Sequence, residues 1–370
     1  MTHVRLQSEG QRLVLDQRDQ SREFTALWLR ERSPDPQTRD PRTGQRLIEA
    51  AELPLDLRLE SAESVDHALR LHFSDGHRCD FPLQELLDEA VDPPQRLWDA
   101  ASAPAPRADF SAALRDDAAL LAMLEALQRD GFVMVSGVPD AEDGMRPLID
   151  RIGPLRRTNW GGIADVKSVA NAYDLTMTQR GLEPHTDNPY RDPIPGYIWL
   201  HCLTNAAEGG DSTLADGFMA ARLLRERDPE AFACLSQVRP GFRYRDDTTH
   251  LESEGPLIEL DSHGEPMRVR YSNRTERVPA LAPDDLDAYF AARRAFHELI
   301  TGEELTLHLK LDPGQMLIID NYRLLHGRRA YQLAGGVRHM RQGYVDRDST
   351  ASRRRVLRRH AETNAPGEPA

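Results

Sequence analysis

Cysteine is scarce in this chain, and its spacing does not indicate a disulfide framework. The 370 residues include three cysteines, Cys79, Cys202 and Cys234. An odd number without a Cys-x-x-Cys pair argues against a secreted, disulfide-bonded protein. We therefore interpret the three residues as buried free thiols, and we expect the protein to be cytoplasmic.

Long apolar runs and an excess of positive charge are also missing. No stretch approaches the roughly 18 apolar residues of a membrane helix, and the N-terminal segment MTHVRLQSEG lacks an apolar secretory core. Lysine and arginine total 47 against 60 acidic residues, a formal net charge of -13. Because cations that neutralise phosphates supply much of the affinity for nucleic acid, we do not expect nucleic acid as a partner. The missing apolar run leads us to expect no membrane partner. The basic segment 347–359 is interpreted as a solvated C-terminal helix.

The chain is longer than one typical domain, so two domains are predicted. Within residues 1–92, apolar and polar residues alternate at 68–73 and run into Ser74-Asp75-Gly76, a pattern typical of a β-hairpin. We predict a small β-rich N-terminal domain there. Residues 93–108 are rich in proline and alanine and are predicted to be a linker. The segment 361–370 is predicted to be a disordered tail.

Residues 109–360 are predicted to form the larger domain. Apolar spacing predicts a helix from Asp116 that stops at Gly131, followed by a buried strand at 132–138. Few later strands are joined by helices of crossover length, so a mainly β (α+β) fold, an antiparallel barrel or jelly roll, is favoured over a parallel sheet. Further along the chain, strands are predicted at 197–203, 268–271, 305–311 and 315–320, and a helix is predicted at 283–299.

Two histidines and one aspartate form a candidate metal site. His185 and Asp187 precede a predicted strand, and their spacing allows both side chains to share one face. His326 follows another predicted strand and shares a face with Leu324. Two imidazoles and one carboxylate are the ligands of a non-haem Fe(II) site, which leaves about three coordination positions open. On its own, a His-x-Asp pattern is more often a polar surface loop.

Arg338 lies on the strand predicted after His326. The planar fork of a guanidinium group matches the two oxygens of a carboxylate, although an isolated arginine is more often an ordinary surface residue. Together with the His-x-Asp pattern and the distant histidine, Arg338 predicts an iron and 2-oxoglutarate site.

These motifs resemble the γ-butyrobetaine dioxygenase branch of the taurine dioxygenase-like enzymes. The resemblance covers nearly the whole chain, and the matching motifs are His185-x-Asp187, Gly209-Gly210-Asp211-Ser212, the segments 320–328 and 338–344, and Leu27-Trp28-Leu29-Arg30 near the N-terminus. It implies a double-stranded β-helix (jelly roll) catalytic domain, a small N-terminal domain and a homodimer.

The resemblance also implies the site. Fe(II) is expected on His185, Asp187 and His326, with 2-oxoglutarate and dioxygen as cosubstrates. Arg338 is expected to bind the far carboxylate of 2-oxoglutarate, and Leu200 and Ser212 to contact the same molecule.

The family's substrates carry a trimethylammonium group that is bound between aromatic rings, because ring faces attract a desolvated cation. Trp160, Tyr190 and Tyr344 are the candidate rings in this sequence. Asn188 and Asn273 are the candidates for binding the anionic end of a small zwitterion, with Arg274 as an addition.

The sequence departs from the family at the N-terminal metal site. Family members often hold a zinc ion there with three cysteines and one histidine, a tetrahedral structural site. The corresponding segment 33–39 contains no cysteine, and only His77 remains. No structural zinc is predicted.

The sequence also departs from the butyrobetaine enzymes around the substrate. Ala164 stands where a tryptophan is expected, Asn188 stands where those enzymes can carry an aromatic residue, and the run 172–178 is unlike theirs. These features look more like the enzymes that hydroxylate 2-(trimethylammonio)ethylphosphonate to its 1-hydroxy product. Hydroxylation of γ-butyrobetaine to carnitine is the alternative. A third hypothesis is a barrel that binds metal or ligand without catalysis, and Arg338 disfavours it. A zinc hydrolase is disfavoured by the lack of an obvious general base.

Overall fold

The computed structural model describes residues 2–17, 20–83, 86, 93–167, 178–332 and 336–364. The chain divides into two compact units, Met1–Pro93 and Pro94–Ala370. Most of the run 172–178 and the end of the predicted tail, 365–370, lie outside the described residues. In the part of the chain that the structure covers, no helix has both the length and the apolar character needed to span a membrane.

The first unit contains two antiparallel sheets, with strand orders β1-β2-β3 and β4-β5-β6. Its elements are β1 Thr2–Gln7, β2 Arg12–Gln17, β3 Gln20–Thr25, α1 Ala26–Glu31, β4 Leu59–Val65, β5 Ala68–Phe73 and β6 Arg78–Pro82. Gly76 has φ +83° between β5 and β6, a conformation that favours glycine, so the predicted hairpin is confirmed. Leucine and phenylalanine side chains such as Leu13, Leu69 and Phe73 form its core.

His77 lies in a hydrogen-bonded polar cluster in this unit. Its Nε2 atom is 2.9 Å from the hydroxyl of Ser33 and 3.1 Å from Oδ2 of Asp35. The Ser33 hydroxyl lies 2.8 Å from the same Asp35 oxygen. Ser33 and Asp35 lie in the cysteine-free segment 33–39, and these two residues and His77 are joined by hydrogen bonds.

The strands of the second unit are β7 Arg107–Asp109, β8 Phe132–Ser136, β9 Leu155–Arg156, β10 Ala164–Lys167, β11 Leu182–His185, β12 Tyr197–Asn205, β13 Glu208–Gly209, β14 Ser212–Asp216, β15 Gly241–Arg245, β16 His250–Glu254, β17 Ile258–Leu260, β18 Pro266–Val269, β19 Glu276–Arg277, β20 Leu307–Leu309, β21 Gln315–Asp320, β22 Leu324–Arg328, β23 Tyr331–Gln332 and β24 Arg338–Val345. Its helices are α2 Phe110–Arg115, α3 Asp117–Asp130, α4 Arg146–Ile152, α5 Gly217–Arg227, α6 Pro229–Gln237, α7 Pro283–Thr301 and α8 Arg347–Asn364.

Two sheets face each other in the second unit. The larger has the order β10-β24-β12-β21-β8-β7, with β9 paired to β24, and the smaller has the order β11-β22-β14-β20. Apolar residues from both sheets, including Ile198, Leu214 and Leu317, form one core cluster between them. Except for the parallel pair β7 and β8, neighbouring strands in these two sheets are antiparallel. The predicted jelly roll is confirmed.

Helices cover the outer face of the larger sheet. The predicted helix after Asp116 is confirmed as α3, because the Asp116 carboxylate caps its N-terminus and Gly131, at φ +82°, ends it. Leu120, Leu124 and Leu127 of α3 pack with sheet residues in a second cluster. A third cluster joins α5, α6 and α7 to the hairpin strands beside the smaller sheet.

Two boundary predictions need correction. Residues 94–108 were predicted to be part of a linker, but they belong to the second unit, where the Trp98 side chain is fully buried. Its ring N–H donates to the backbone carbonyl of Asp130, so this proline-rich segment is packed against the domain. The predicted disordered tail is wrong for residues 361–364, which extend α8 to Asn364.

Candidate active site

The two histidines and the aspartate of the predicted metal site lie together. One ligand atom from each of His185, Asp187 and His326 falls within 4.8 Å of the others. Oδ1 of Asp187 is 3.4 Å from Nε2 of His185 and 3.7 Å from Nε2 of His326. The antiparallel pairing of β11 with β22 places the two histidines directly opposite each other, which explains how residues so distant in sequence meet.

The protonation states of His326 and Asp187 suit a metal. Burial and the neighbouring His185 lower the pKa of His326 to about 4, so its imidazole is neutral at pH 7. Burial opposes ionisation of Asp187, but the two histidines and a tyrosine hydroxyl hold its pKa well below the usual range. Nδ1 of His185 lies 2.8 Å from the carbonyl of Glu183, which leaves Nε2 for the metal.

The two oxygens of Asp187 have separate roles. Oδ1 faces the histidines, whereas Oδ2 accepts hydrogen bonds of 2.8 Å from the Tyr344 hydroxyl and 2.7 Å from the Gln342 amide. Both donors lie on β24, next to β12 and β10. The larger sheet therefore orients the carboxylate through Oδ2, the oxygen that does not face the histidines.

A second set of hydrogen bonds fixes the backbone of the metal loop. Asn321 is fully buried, and its amide accepts from the N–H of Asp187 at 2.7 Å and donates to the carbonyls of Asp187 and Pro195. The Thr186 hydroxyl accepts from the N–H of Tyr271 at 3.0 Å. Both contacts hold the loop between the two ligands in place from other parts of the chain.

The donor set fits iron. A facial arrangement with metal–ligand bonds of about 2.1 Å requires neighbouring donor atoms about 3 Å apart, and the measured separations need only small adjustments. Two imidazoles and one carboxylate are the ligand types of non-haem Fe(II) oxygenases, and these three side chains line one cavity. His185, Asp187 and His326 would hold the metal.

Arg338 is placed to bind an anion inside the cavity. It is 3% exposed, lines the cavity, and its Nε has no hydrogen-bond partner among the described residues. Its guanidinium lies 5.5 Å from the ring centre of Tyr331. Gly210 has φ +75°, and a side chain there would meet Arg338 at 3.4 Å and Tyr331 at 3.1 Å. Glycine at position 210 thus permits the positive φ and the close approach of Tyr331.

A single cavity of about 910 Å³ connects the metal ligands, Arg338 and a group of aromatic residues. Leu200 and Ser212, the other predicted contacts of 2-oxoglutarate, line it, as do Trp160, Tyr190 and Tyr344. Asn188 also lines it, and its side chain accepts a 2.6 Å hydrogen bond from the Tyr190 hydroxyl. Asn188 has φ +52°, a conformation that asparagine tolerates better than most residues.

Residues 90–344 match the Taurine catabolism dioxygenase TauD, TfdA family, and residues 4–86 match the Gamma-butyrobetaine hydroxylase-like, N-terminal family. This chain belongs to the TauD/TfdA family. It is therefore a 2-oxoglutarate-dependent dioxygenase. The two other hypotheses, a non-catalytic barrel and a zinc hydrolase, are excluded. Fe(II) is its metal, and 2-oxoglutarate is its cosubstrate.

Relatives of this TauD/TfdA dioxygenase carry different names. It is 33% identical over 348 residues to gamma-butyrobetaine dioxygenase of Pseudomonas sp. (strain AK-1), with 91% of each chain covered. It is 28% identical over 354 residues to mitochondrial trimethyllysine dioxygenase of Rattus norvegicus, covering 91% of this chain and 83% of that protein. The solved structure of the PvcB protein from Pseudomonas aeruginosa superposes with a TM-score of 0.48 at 19% identity, over 69% of this chain and 93% of that one.

In a TauD/TfdA dioxygenase, iron with bound 2-oxoglutarate supplies the activation of dioxygen and the oxidising power for hydroxylation. The described residues supply position and charge. Arg338 would offer a buried positive charge to a carboxylate of the cosubstrate. Tyr344 and Gln342 donate hydrogen bonds to Oδ2 of Asp187, which leaves Oδ1 directed at the metal position.

One predicted substrate residue lies outside the site. Asn273 is exposed and does not line the cavity, whereas its neighbours Ser272 and Arg274 do. Residues 273–275 form a turn, in which the alternation of a strand no longer decides which side chain points inward. Arg274 replaces Asn273 as the candidate at this position.

Sequence reasoning missed Gln342, Asn321 and Tyr244. Gln342 lies two residues before Tyr344 on the same strand, so strand alternation was a usable signal for its side-chain direction. Asn321 follows the strand that leads to His326, but nothing local indicated its contact with Asp187. Tyr244 lines the cavity from β15, and no motif marked it.

Proposed function

We propose that this dioxygenase hydroxylates a small zwitterion with a trimethylammonium group and an anionic head, and that 2-(trimethylammonio)ethylphosphonate is its substrate. The observation that carries the proposal is that the cavity of the metal ligands is lined both by aromatic rings and by arginines beyond those expected to bind 2-oxoglutarate.

The aromatic side of the cavity supports a cationic group. Trp160, Tyr190 and Tyr344 contribute to the lining, and Tyr344 also contacts the ligand Asp187. A quaternary ammonium ion cannot donate hydrogen bonds, so ring faces and nearby carboxylates are the protein groups that can stabilise it. The contact of Tyr344 with Asp187 places one of these rings next to the metal ligands, which suits a compact substrate.

The basic side of the cavity supports a highly charged anionic head. Arg243, Arg245 and Arg274 line the cavity and are exposed, in contrast to the buried Arg338. A phosphonate carries up to two negative charges and three oxygens, so it gains more from several guanidinium groups than a carboxylate does. This charge argument favours the phosphonate over γ-butyrobetaine.

γ-Butyrobetaine is the second candidate. It is favoured by the 33% identity to relatives named for this activity in Pseudomonas sp. (strain AK-1) and Homo sapiens. Ala164, which lines the cavity where the resemblance leads us to expect a tryptophan, argues against an identical substrate site.

A side-by-side assay tests the proposal. Purified protein, loaded anaerobically with Fe(II), is given 2-oxoglutarate and dioxygen with the phosphonate, γ-butyrobetaine or trimethyllysine, and both succinate and hydroxylated product are quantified. We expect coupled turnover with the highest kcat/KM for the phosphonate. A far higher kcat/KM for γ-butyrobetaine would assign that substrate instead, and no coupled turnover with any of the three would refute the trimethylammonium proposal.

A further inference from the structure

The β15–β16 hairpin brings an additional aromatic residue into the cavity. The ring centre of Tyr244 lies 5.2 Å from that of Trp160 with an interplanar angle of 72°, and 5.3 Å from that of Tyr190 with an angle of 26°. The rings of Tyr244 and Trp160 are therefore nearly perpendicular. The ring of Tyr190 lies beside that of Tyr244 at a small interplanar angle. All three rings line the cavity that contains the metal ligands.

This hairpin is joined to the loop that follows the metal ligands. The Ser253 hydroxyl on β16 donates a 2.8 Å hydrogen bond to the carbonyl of Pro189, and Arg270 donates to the same hydroxyl at 3.1 Å. The N–H of Arg243 donates to the carbonyl of Thr275 at 2.9 Å. The position of Tyr244 is thus linked to the metal loop and to the turn that carries Arg274.

The ring of Tyr244 is oriented by an anion. Its hydroxyl donates a 2.7 Å hydrogen bond to Oδ2 of Asp246, and Oδ1 of that residue accepts from the N–H groups of Thr248 at 2.8 Å and Thr249 at 2.7 Å. A phenol that donates to a carboxylate gains electron density in its ring, which strengthens the attraction of the ring for a cation. The carboxylate charge acts in the same direction.

We propose that Tyr244 is a specificity-determining residue that forms an aromatic wall of the quaternary ammonium site and supplies ring surface that Ala164 does not. Asp246 is its positioning residue. This inference rests on the proposed function, and it assigns recognition of the cation to a hairpin that carries none of the metal ligands.

The test compares a cationic substrate with its neutral isostere. Wild type, Tyr244→Leu, Tyr244→Phe and Asp246→Asn are assayed with 2-(trimethylammonio)ethylphosphonate and with 3,3-dimethylbutylphosphonate, in which carbon replaces the charged nitrogen. If γ-butyrobetaine proves to be the substrate, it is paired with 5,5-dimethylhexanoate. Phe290→Leu makes the same type of change at an exposed position that does not line the cavity, and it serves as the control.

We expect Tyr244→Leu to raise KM for the cationic substrate about tenfold, with a much smaller change for the isostere. Tyr244→Phe and Asp246→Asn should each lower the preference for the cation about two- to threefold, because the ring remains but loses the carboxylate contact. KM for 2-oxoglutarate should stay unchanged in each variant, and Phe290→Leu should match wild type throughout.

The outcomes separate the two proposals. If wild type prefers the cation and Tyr244→Leu keeps that preference, or weakens both compounds equally, Tyr244 is only a packing residue and the inference is wrong. If Tyr244→Leu does not fold, an unchanged preference in both milder variants has the same meaning. A wild-type protein that turns over no trimethylammonium compound, or prefers the neutral isostere, overturns the proposed function and this inference together.

Discussion

The hydroxyl of Tyr344 donates a 2.8 Å hydrogen bond to Oδ2 of Asp187. Burial and the negative charge of Asp187 both raise the pKa of Tyr344 well above its ordinary value, so the phenol keeps its proton. The same residue lines the substrate cavity. Tyr344 therefore orients the candidate metal ligand Asp187 and also lines the cavity next to it.

Replacing Tyr344 by phenylalanine should weaken iron binding more than substrate binding. The variant keeps the ring but removes one of two donors to Oδ2, so Asp187 is held less firmly. We expect the Fe(II) concentration for half-maximal activity to rise about tenfold. KM for the substrate should change less than about threefold, because the ring face remains.

Tyr322→Phe is the matched control, since its hydroxyl donates to the carbonyl of Ile194 and not to a metal ligand. An iron titration of Tyr344→Phe that overlays both wild type and this control would show that the Tyr344 hydroxyl does not support the metal.

Lysine at position 338 should impair binding of 2-oxoglutarate specifically. Arg338 is buried, and lysine offers a single point charge in place of a planar fork. We expect KM for 2-oxoglutarate to rise at least about tenfold in Arg338→Lys, while KM for the hydroxylated substrate at saturating 2-oxoglutarate changes little. Arg359→Lys, at an exposed position on α8, is the control. An unchanged KM for 2-oxoglutarate would remove Arg338 from the cosubstrate site.

The three residues of the candidate metal site could be brought together from the sequence because local spacing carried the signal. His185 and Asp187 are two residues apart beside a strand, and His326 closely follows the confirmed strand Gln315–Asp320. The jelly roll followed from antiparallel strand patterns and from the resemblance to a family. The candidate ligands were marked by short stretches of sequence, whereas the fold was indicated by the pattern along the whole larger domain.

The supporting contacts could not be predicted in this way. Asn321 reaches Asp187 across 134 positions, and that pairing exists only after the sheets have packed. Tyr244 lies on a short hairpin strand whose neighbours, Arg243 and Arg245, are exposed and polar, so its position in the cavity depends on how the hairpin packs. The proline-rich segment containing Trp98 resembled a linker by composition, yet the burial of one tryptophan fixes it to the domain.

Removal of Arg323 should destabilise the second unit strongly. Arg323 and Asp216 are both fully buried and joined by hydrogen bonds of 2.6 and 3.1 Å, and Asp216 also caps helix α5. In Arg323→Met the buried Asp216 side chain loses its charged partner, so we expect a loss of about 3–5 kcal/mol in the free energy of unfolding, measured by urea denaturation. Arg146→Met breaks an exposed pair with Asp150 and should cost only about 0.5 kcal/mol. Equal losses in the two variants would contradict this account.

His201 should make the stability of the second unit depend on pH. It is fully buried on β12, and neither ring nitrogen has a hydrogen-bond partner among the described residues. Burial lowers its pKa below the ordinary value, Asp140 opposes this shift, and Arg341 on the neighbouring strand adds to it. A histidine with a lowered folded-state pKa binds fewer protons in the folded chain than in the unfolded chain. The contribution of neutral His201 to the free energy of unfolding is therefore fully present above about pH 6.5. It is lost progressively as the pH falls below that value.

His201→Leu removes this proton-linked loss and two unpaired buried nitrogens in one step. We expect the variant to be as stable as wild type at pH 7.5, or about 1 kcal/mol more stable, and to gain relative to wild type at pH 5.5. Urea unfolding followed by tryptophan fluorescence, to which the buried Trp199 and Trp98 of this unit contribute, measures both differences. His360→Leu, at an exposed position of α8, serves as the control. If the difference in unfolding free energy between His201→Leu and wild type is the same at both pH values, His201 does not carry the pH dependence, and the acid sensitivity of the domain arises from other groups.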